Sequence, residues 1–241
     1  MPLPKVKFTE IAGRTYAETW DLQKSLLAEL IANKMKWREL SPDEKAQKRQ
    51  IHQLIFCEHA PVYTLGKSGS ENHLLLSEKQ LKDKGIEYFK INRGGDITYH
   101  GPGQITGYLI FDLEEFFTDV HRFVRTIEEA IIRTLGYFGV QGERVQGYTG
   151  VWIKGKNPTE KDRKICAIGV HLSRWVSMHG FALNVNTDLK YFENIVPCGI
   201  SDKDKDVTSL EKELGRPINF SEVKNVLKNN LQTEFIFEWE Q

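Results

Sequence analysis

The strongest constraint on the fold is a run of seven residues with a single charge, Gly-Tyr-Leu-Ile-Phe-Asp-Leu, at 107–113. A short run in which both alternating sets of side chains are apolar is typical of a strand that is covered on both faces. Such a strand lies inside a sheet and not at its edge. The run therefore predicts a sheet with other elements packed on each side of it.

Other short apolar segments predict further strands, at 53–57, 61–65, 86–91, 150–153, 164–171 and 178–184. Apolar residues at helical spacing predict helices over 16–31, from Thr118 or Asp119 to about Tyr137, and over about 221–233. Strands dominate the middle of the chain and helices flank them. The expected fold class is α+β (α/β), a single domain over 1–241 with a central mixed or antiparallel β-sheet flanked by helices.

The charge balance limits the classes of partner. The 33 Lys and Arg residues match the 33 Asp and Glu residues, so the chain has no global attraction for nucleic acid or for an anionic membrane. No run reaches the roughly 18 apolar residues of a membrane span, and the N-terminus lacks the apolar stretch of a signal peptide. We therefore expect a cytoplasmic protein, with charge concentrated only in local basic segments at 34–50 and 153–164.

Three cysteines, Cys57, Cys166 and Cys198, cannot all pair, and their spacing matches no zinc-binding pattern. We therefore expect free thiols and no metal. Cys57 and Cys166 lie in apolar runs that are typical of a core. Cys198 lies between Pro197 and Gly199, in a bend, where an exposed nucleophile would be placed, although a lone loop cysteine is more often structural.

The segment 93–104 holds four glycines and a proline in 12 residues. Glycines allow a ligand to approach the backbone, but the pattern is neither a dinucleotide-binding fingerprint nor a Walker loop. A glycine-rich hairpin with no ligand explains the composition equally well. Arg93 and His100 near its two ends favour a binding site, because one is a strong hydrogen-bond donor and the other titrates near neutral pH.

A lysine opens the apolar strand predicted at 164–171. Alternation places Lys164, Cys166, Ile168 and Val170 on one face of that strand. Such a lysine is usually an edge residue whose amine reaches water. If its amine enters a pocket instead, desolvation lowers its pKa and makes it a usable proton-transfer group.

Six blocks of sequence, taken together, resemble a known family. They include Arg-Gly-Gly-x-x-Thr-Tyr-His-Gly-Pro-Gly-Gln, Lys-Ile-x-Ala-Ile-Gly and Pro-Cys-Gly-Ile, and they occur in order at 58–66, 93–104, 164–169, 179–184, 197–200 and 207–210. This pattern resembles the lipoyl(octanoyl) transferases of the biotin/lipoate protein ligase superfamily, over about 16–210. The resemblance implies the catalytic fold of that superfamily.

The resemblance also implies an activity and its partners. Octanoyl would move from octanoyl-acyl carrier protein, through an acyl-thioester, to a lysine of lipoyl domains in lipoate-dependent enzyme complexes and glycine cleavage H protein. No nucleotide or other cofactor is expected, because the donor is already a thioester. The basic segments 153–164 and 34–50 are candidates for docking the carrier, whose family is typically acidic.

By the same resemblance, Cys198 is the nucleophile that carries the acyl group, and Lys164 lowers its pKa and transfers a proton. The residues implied to hold the acyl group are Arg93, Gly94, Gly95, Asp96, Ile97, Thr98, Tyr99, His100, Ala167, Ile168, Gly169, Gly180, Phe181 and Ala182. His100 is expected to position a reactant and not to act as the base. The sequence departs from the family pattern at Asp96, where many members carry Gln, and in the charged segment 201–206.

Three other functions fit parts of the sequence. An ATP-dependent lipoate or biotin ligase would share the fold but would not need Cys198. A catalytically silent module would bind the acyl carrier without a covalent adduct. A cysteine hydrolase would use Cys198 with His100 to release free octanoate.

Overall fold

The computed structural model describes residues 3–157, 159–196 and 205–240. Its strands are β1 (Lys5–Ile11), β2 (Ile51–Cys57), β3 (Val62–Leu65), β4 (Glu87–Lys90), β5 (Ile97–His100), β6 (Gln104–Ile110), β7 (Glu143–Val145), β8 (Tyr148–Ile153), β9 (Asp162–Ser173), β10 (Val176–Asn184), β11 (Lys205–Val207) and β12 (Glu238–Trp239). Its α-helices are α1 (Tyr16–Trp37), α2 (Pro42–Ala46), α3 (Glu78–Asp83), α4 (Val120–Tyr137), α5 (Leu210–Leu214) and α6 (Phe220–Phe235).

The apolar run predicted as a strand at 107–113 contributes to β6, which begins earlier, at Gln104, and ends at Ile110. Every residue of β6 is buried. The strand lies in the middle of a sheet with the order β12-β1-β2-β6-β10-β9-β8-β7, in which β11 also pairs with β9. The pairs β1–β12, β1–β2 and β9–β11 are parallel, whereas β6 is antiparallel to both of its neighbours. The expected mixed central sheet is confirmed.

Helices cover both faces of this sheet, because its strands are apolar on both sides. Leu54 and Phe56 of β2 pack in a cluster with α4 and α6, whereas Ile55 and Cys57 pack with α1. The helices predicted at 16–31, at 118–137 and at 221–233 are therefore confirmed, and Asp119 caps α4 as expected. Among the described residues, no helix has both the length and the apolar character needed to cross a membrane.

Three other strands form a second sheet, in the order β4-β3-β5. The sequence pattern does not predict β5, since its four residues are enclosed by the glycines of the segment 93–104. β5 pairs antiparallel with β3, so that Ile97 lies opposite Leu65 and His100 opposite Val62. The glycine-rich segment is therefore part of an ordered sheet.

The basic segment 34–50 is more than a solvated connection. Lys34 is buried at the end of α1, where its Nζ donates to the Asp112 carboxylate at 2.7 Å and to the Arg174 carbonyl at 2.8 Å. Ser41 caps α2, which begins at Pro42. This segment therefore packs against the end of β6 that leads to Asp112.

Candidate active site

A cavity of about 240 Å³ lies on the face of the main sheet that also carries α1. Its floor consists of three adjacent strands, β6, β10 and β9. Paired residues form rows across these strands, with Thr106, Ala182 and Ala167 in one row and Tyr108, Gly180 and Gly169 in the next. Because most of these side chains are small or absent, they leave a narrow uncharged space above the sheet, which suits a slender apolar ligand.

The glycine-rich segment forms a second wall of the cavity. A Cβ at Gly169 of β9 would lie 2.7 Å from the Gly94 carbonyl oxygen and 3.1 Å from Cδ of Arg93. The Gly94 N–H donates to the Val170 carbonyl at 2.9 Å, which fastens the segment to β9. Glycine at 169 is therefore required by the close approach of the two backbones.

Lys164 is turned toward the cavity by an irregularity in β9. Val151 of β8 pairs with Cys166 and Trp152 pairs with Lys164, so Ile165 is an extra residue on the β9 side. Ile165 and Cys166 both enter the core beneath α4, whereas the Lys164 Nζ lies 4.6 Å from the centre of the Trp152 ring and Lys164 lines the cavity. A β-bulge that re-aims a side chain is a frequent feature of active sites.

This bulge corrects one expectation. Strict alternation predicts Lys164 on the face of Cys166, which would place its amine in the apolar core. The extra residue reverses the face between the two positions. Lys164 therefore shares the cavity with Ala167 and Gly169, as a proton-transfer role requires.

A continuous chain of buried hydrogen bonds connects the glycine-rich segment to the strand of Lys164. Nδ1 of His100 donates to Gln104 Oε1 at 2.9 Å, and Gln104 Nε2 donates to Asn184 Oδ1 at 2.9 Å. Asn184 Nδ2 donates to the Thr208 carbonyl at 2.9 Å, and the Thr208 N–H donates to the Lys164 carbonyl at 3.0 Å. This network fixes the backbone of Lys164 relative to the opposite wall.

Arg93 and His100 share a third partner, Thr64 of β3. The Arg93 Nη2 donates to the Thr64 carbonyl at 2.6 Å and to its hydroxyl at 3.0 Å, and that hydroxyl lies 3.3 Å from Nε2 of His100. Burial lowers the pKa of Arg93 to about 10, so the guanidinium stays charged at neutral pH. Its charge is stabilised by backbone carbonyls, and its first effect is to hold the glycine-rich segment in place.

Three histidines near the cavity are neutral at physiological pH. Burial lowers the pKa of His100 to about 3, that of His179 to about 3 and that of His59 to about 4, with neighbouring positive groups adding to the effect at His100 and His179. Both ring nitrogens of His100 already have hydrogen-bond partners. His100 is therefore a poor base.

These buried histidines predict a loss of stability in mild acid. Below a pH of about 6.5, the histidines of the unfolded chain bind protons, whereas the buried histidines of the native protein stay neutral. Their contribution to the free energy of unfolding is therefore fully present above about pH 6.5 and decreases as the pH falls toward 4. Each buried histidine contributes a slope of up to about 1.4 kcal/mol per pH unit. We expect urea unfolding between pH 7.5 and 5.5 to show a smaller decline for His59→Gln than for the wild type.

The exposed His121 on α4 supplies the control, since His121→Gln removes a histidine that water reaches in both states. Its decline should match that of the wild type. An unchanged slope in His59→Gln would contradict the assignment of the acid sensitivity to buried histidines.

The cavity brings together most of the residues predicted to bind the acyl group. The predicted residues that line it are Arg93, Gly95, Asp96, Ile97, Thr98, His100, Lys164, Ala167, Ile168, Gly169, Gly180, Phe181 and Ala182. Gly94 and Tyr99 do not line it. Gly94 is used in the contact with Val170, and the Tyr99 ring stacks on Tyr191 with centroids 4.6 Å apart, in a cluster beside the second sheet.

Two predicted features need separate mention. Asp96, the departure from the family pattern, is buried in the cavity wall, where its carboxylate accepts from the Ile97 N–H at 2.7 Å and lies 2.5 Å from Nδ1 of His73. Cys198, together with Pro197 and Gly199, lies outside the described residues. Its place in the site stays a prediction.

Several cavity residues were not predicted from the sequence, among them Tyr16, Gln104, Thr106, Tyr108, His179 and Asn184. His179 is the most unusual, because it adopts a left-handed backbone conformation with φ 65°. Its N–H donates to Gln23 Oε1 of α1 at 3.1 Å, and its Nε2 lies 2.8 Å from Asn92 Oδ1. A strained non-glycine residue of this kind is often found at a functional site. His179 and Asn184 lie at the two ends of the block 179–184, and their place in that block is the signal that could have identified them.

Comparisons with known proteins show the family of this chain. Residues 15–232 match the model of the family described as the lipoyl protein ligase A/B catalytic domain. A protein from Cytophaga hutchinsonii named octanoyltransferase is 55% identical over 220 residues, which cover 91% of this chain and 88% of that protein. One from Christiangramia forsetii with the same name is 51% identical, and the match covers 96% of both chains.

Solved structures support the same fold. A bipartite lipoate protein ligase from Thermoplasma acidophilum superposes with a TM-score of 0.68, at 17% identity, over 100% of this chain and 87% of that one. A lipoate-protein ligase A bound with ATP superposes with a TM-score of 0.65, at 16% identity, over 100% of this chain and 88% of that one. On the family match and on the relatives at about 50% identity, this chain belongs to the lipoyl protein ligase A/B catalytic domain family.

Proposed function

We propose that this protein is an octanoyltransferase, which moves octanoyl from acyl carrier protein to the ε-amino group of a lysine on lipoyl domains. Relatives that share about half of its sequence over most of their length carry the name octanoyltransferase. The observation that carries the proposal is the placement of Lys164 by the bulge in β9 at one end of a narrow cavity with a floor of small residues. A cavity of that shape, with a proton-transfer group at one end, suits the transfer of an acyl chain.

The proposed reaction has two steps. The Cys198 thiolate attacks the thioester carbonyl of octanoyl-acyl carrier protein, a new C–S bond forms, and the carrier thiolate leaves. The acceptor amine then attacks the acyl-enzyme, an amide forms, and the Cys198 thiolate is the leaving group. Because the first step exchanges one thioester for another, no nucleotide is needed to activate the acyl group.

Lys164 has a different task in each step. As an ammonium near Cys198, it would favour the thiolate, which is the reactive form of a residue with an ordinary pKa near 8.5. The ammonium then gives its proton to the departing carrier thiolate, and in the second step the neutral Lys164 amine accepts the proton that the attacking amine must lose. The hydrogen-bond network that ends at the Lys164 carbonyl supports this role by fixing its backbone.

The cysteine hydrolase alternative is less favourable on the same geometry. It needs His100 to accept a proton from Cys198 or from water. Burial keeps the pKa of His100 at about 3, and both of its nitrogens lie in hydrogen bonds. We therefore expect the acyl group to pass to an amine and not to water.

Intact-protein mass spectrometry tests the proposal directly. Mixing the protein with octanoyl-acyl carrier protein, without ATP, should give an adduct of one octanoyl group, which disappears when a lipoyl domain is added and reappears on that domain. Free octanoate would indicate the hydrolase, and transfer of free octanoic acid only with ATP would indicate the ligase. Binding of the carrier without any adduct would indicate the catalytically silent binding module.

The geometry favours the segment 153–164 over 34–50 as the carrier-docking surface. Lys45 and Lys48 line a separate cavity with Asp112, at the end of β6 opposite to Gln104, which the hydrogen-bond network connects to Lys164. Within 153–164, Lys154 is paired with Asp162 at 2.8 Å. Lys156 and Lys161 are exposed and can be changed without breaking that pair.

Charge reversal separates the two segments. The double substitution Lys156→Glu and Lys161→Glu should slow acyl-enzyme formation about tenfold at low salt, because steering by opposite charges raises association rates, and salt should reduce the difference. Stopped-flow measurement of the first step at several salt concentrations gives the readout. Lys45→Glu with Lys48→Glu is the matched control, and an equal or larger effect there would place the docking surface on 34–50.

A further inference from the structure

We infer that Tyr108 closes the far end of the acyl cavity and thereby sets the length of the acyl chain that this protein transfers. This inference rests on the proposed octanoyl transfer, and it concerns a residue outside the sequence blocks of the family. It follows from the rows of residues on the cavity floor and from the contacts that hold the Tyr108 ring.

The cavity floor has a direction. Gln104 pairs with Asn184 in the first row, and the Thr208 backbone connects Asn184 to Lys164, so this row is the reactive end. Thr106, Ala182 and Ala167 form the middle row, and Tyr108, Gly180 and Gly169 the last. The next residues in the direction away from Asn184 that point the same way, Met178 and its partner His171, contribute no lining to the cavity among the residues that the structure describes. The floor therefore ends at Tyr108.

Tyr108 is the one large side chain of its row. Tyr108 pairs with Ile55 of β2 and with Gly180 of β10, and Gly169 of β9 follows Gly180 in the same row, so no side chain from β10 or β9 stands beside its ring. The phenol oxygen lies 2.7 Å from Nε2 of His59, and that nitrogen also lies 3.2 Å from the Cys57 sulfur. Burial raises the pKa of Tyr108 well above its usual range, so the phenol stays neutral. The ring is thus a fixed wall.

Other residues complete this end of the cavity. Arg93 packs on Gly169 from the glycine-rich segment, and Tyr16 of α1 lies 5.1 Å, centroid to centroid, from the His59 ring. His179 reaches the same end through its left-handed backbone. Among these side chains, only that of Tyr108 belongs to the three rows of the floor.

The dimensions agree with an eight-carbon chain. Four residue steps along β10, from Asn184 to Gly180, separate the first row from the last, which is about 14 Å. One van der Waals contact of about 4 Å with the Tyr108 ring leaves about 10 Å for the ligand. Each C–C bond of an extended alkyl chain advances about 1.25 Å, so an octanoyl chain with seven such bonds spans about 9 Å, whereas a decanoyl chain with nine spans about 11 Å.

The test is a competition among hexanoyl, octanoyl, decanoyl and dodecanoyl carrier proteins with the full-length protein. The wild type should transfer octanoyl best. Tyr108→Val should raise the ratio of decanoyl to octanoyl transfer by about tenfold or more, since two further methylenes become buried. Tyr108→Phe keeps the ring and should keep the wild-type ratio, whatever its overall rate.

A second variant works in the opposite direction and does not depend on the stability of Tyr108→Val. Ala167→Val adds two methyl groups to the middle row and should shift the preference from octanoyl toward hexanoyl. If the wild type transfers octanoyl but neither variant moves the ratio, the role of Tyr108 is overturned. If the wild type transfers no chain of any length, the proposed function itself fails.

Discussion

Substitution of Cys198 by Ser should abolish octanoyl transfer, with a loss of roughly 10⁴–10⁶-fold in rate, as is typical when a covalent nucleophile is removed. A serine hydroxyl at neutral pH is almost entirely protonated, so it cannot exchange with a thioester as a thiolate does. The measurement is transfer of octanoyl from carrier protein to a lipoyl domain, followed by intact-mass analysis of the enzyme. No adduct should be detected on the variant.

The other two cysteines are matched controls for this substitution. Burial raises the pKa of Cys57 to about 12, and it raises that of Cys166 well above the ordinary value. Both side chains are buried in the core. Cys57→Ser and Cys166→Ser should therefore still form the adduct, provided that they fold. An adduct retained in Cys198→Ser would remove Cys198 from the mechanism and leave another nucleophile to be found.

Substitution of Lys164 by Met should lower transfer at neutral pH by roughly 10²–10⁴-fold, the usual effect of losing a general acid–base group. Methionine keeps an unbranched apolar side chain beside Trp152 but removes the charge. The two steps should respond differently to pH. Acylation of Cys198 should recover as the pH rises toward 8.5, because the thiolate then forms without the ammonium. Transfer to the lipoyl domain should stay slow, since the proton acceptor is missing.

Single-turnover kinetics measure the two steps separately, and alkylation of Cys198 by iodoacetamide reports its thiolate directly. Lys228→Met on α6 is the control, because its Nζ also lies over aromatic rings, 4.3 Å from Phe8 and 4.8 Å from Trp239, but on the opposite side of the main sheet. It should leave both steps unchanged. A Lys164→Met protein whose alkylation rate and acylation rate match those of the wild type would contradict the proposed role of the ammonium.

Local sequence patterns predicted the elements of this fold well, because periodicity is a property of neighbouring residues. The apolar run in β6, the cap at Asp119 and the helices at both ends of the chain all follow from such patterns. Short strands were missed where glycines enclose them, as in β5, or where three of seven residues are charged, as in β1.

The sequence by itself determined the family, the class of chemistry and the candidates Cys198 and Lys164, since ordered blocks of residue types carry that information without any geometry. Only the tertiary structure decided which way Lys164 faces. Its orientation depends on one extra residue, Ile165, in β9 relative to the paired strand β8. The register between two strands is set by how they pair, and it cannot be derived from the sequence of one strand alone. For the same reason the wall formed by Tyr108 and His179 became visible only in three dimensions. Side chains from separate strands and helices come into contact there through strand pairing and packing. The spacing of these residues along the chain does not predict that contact.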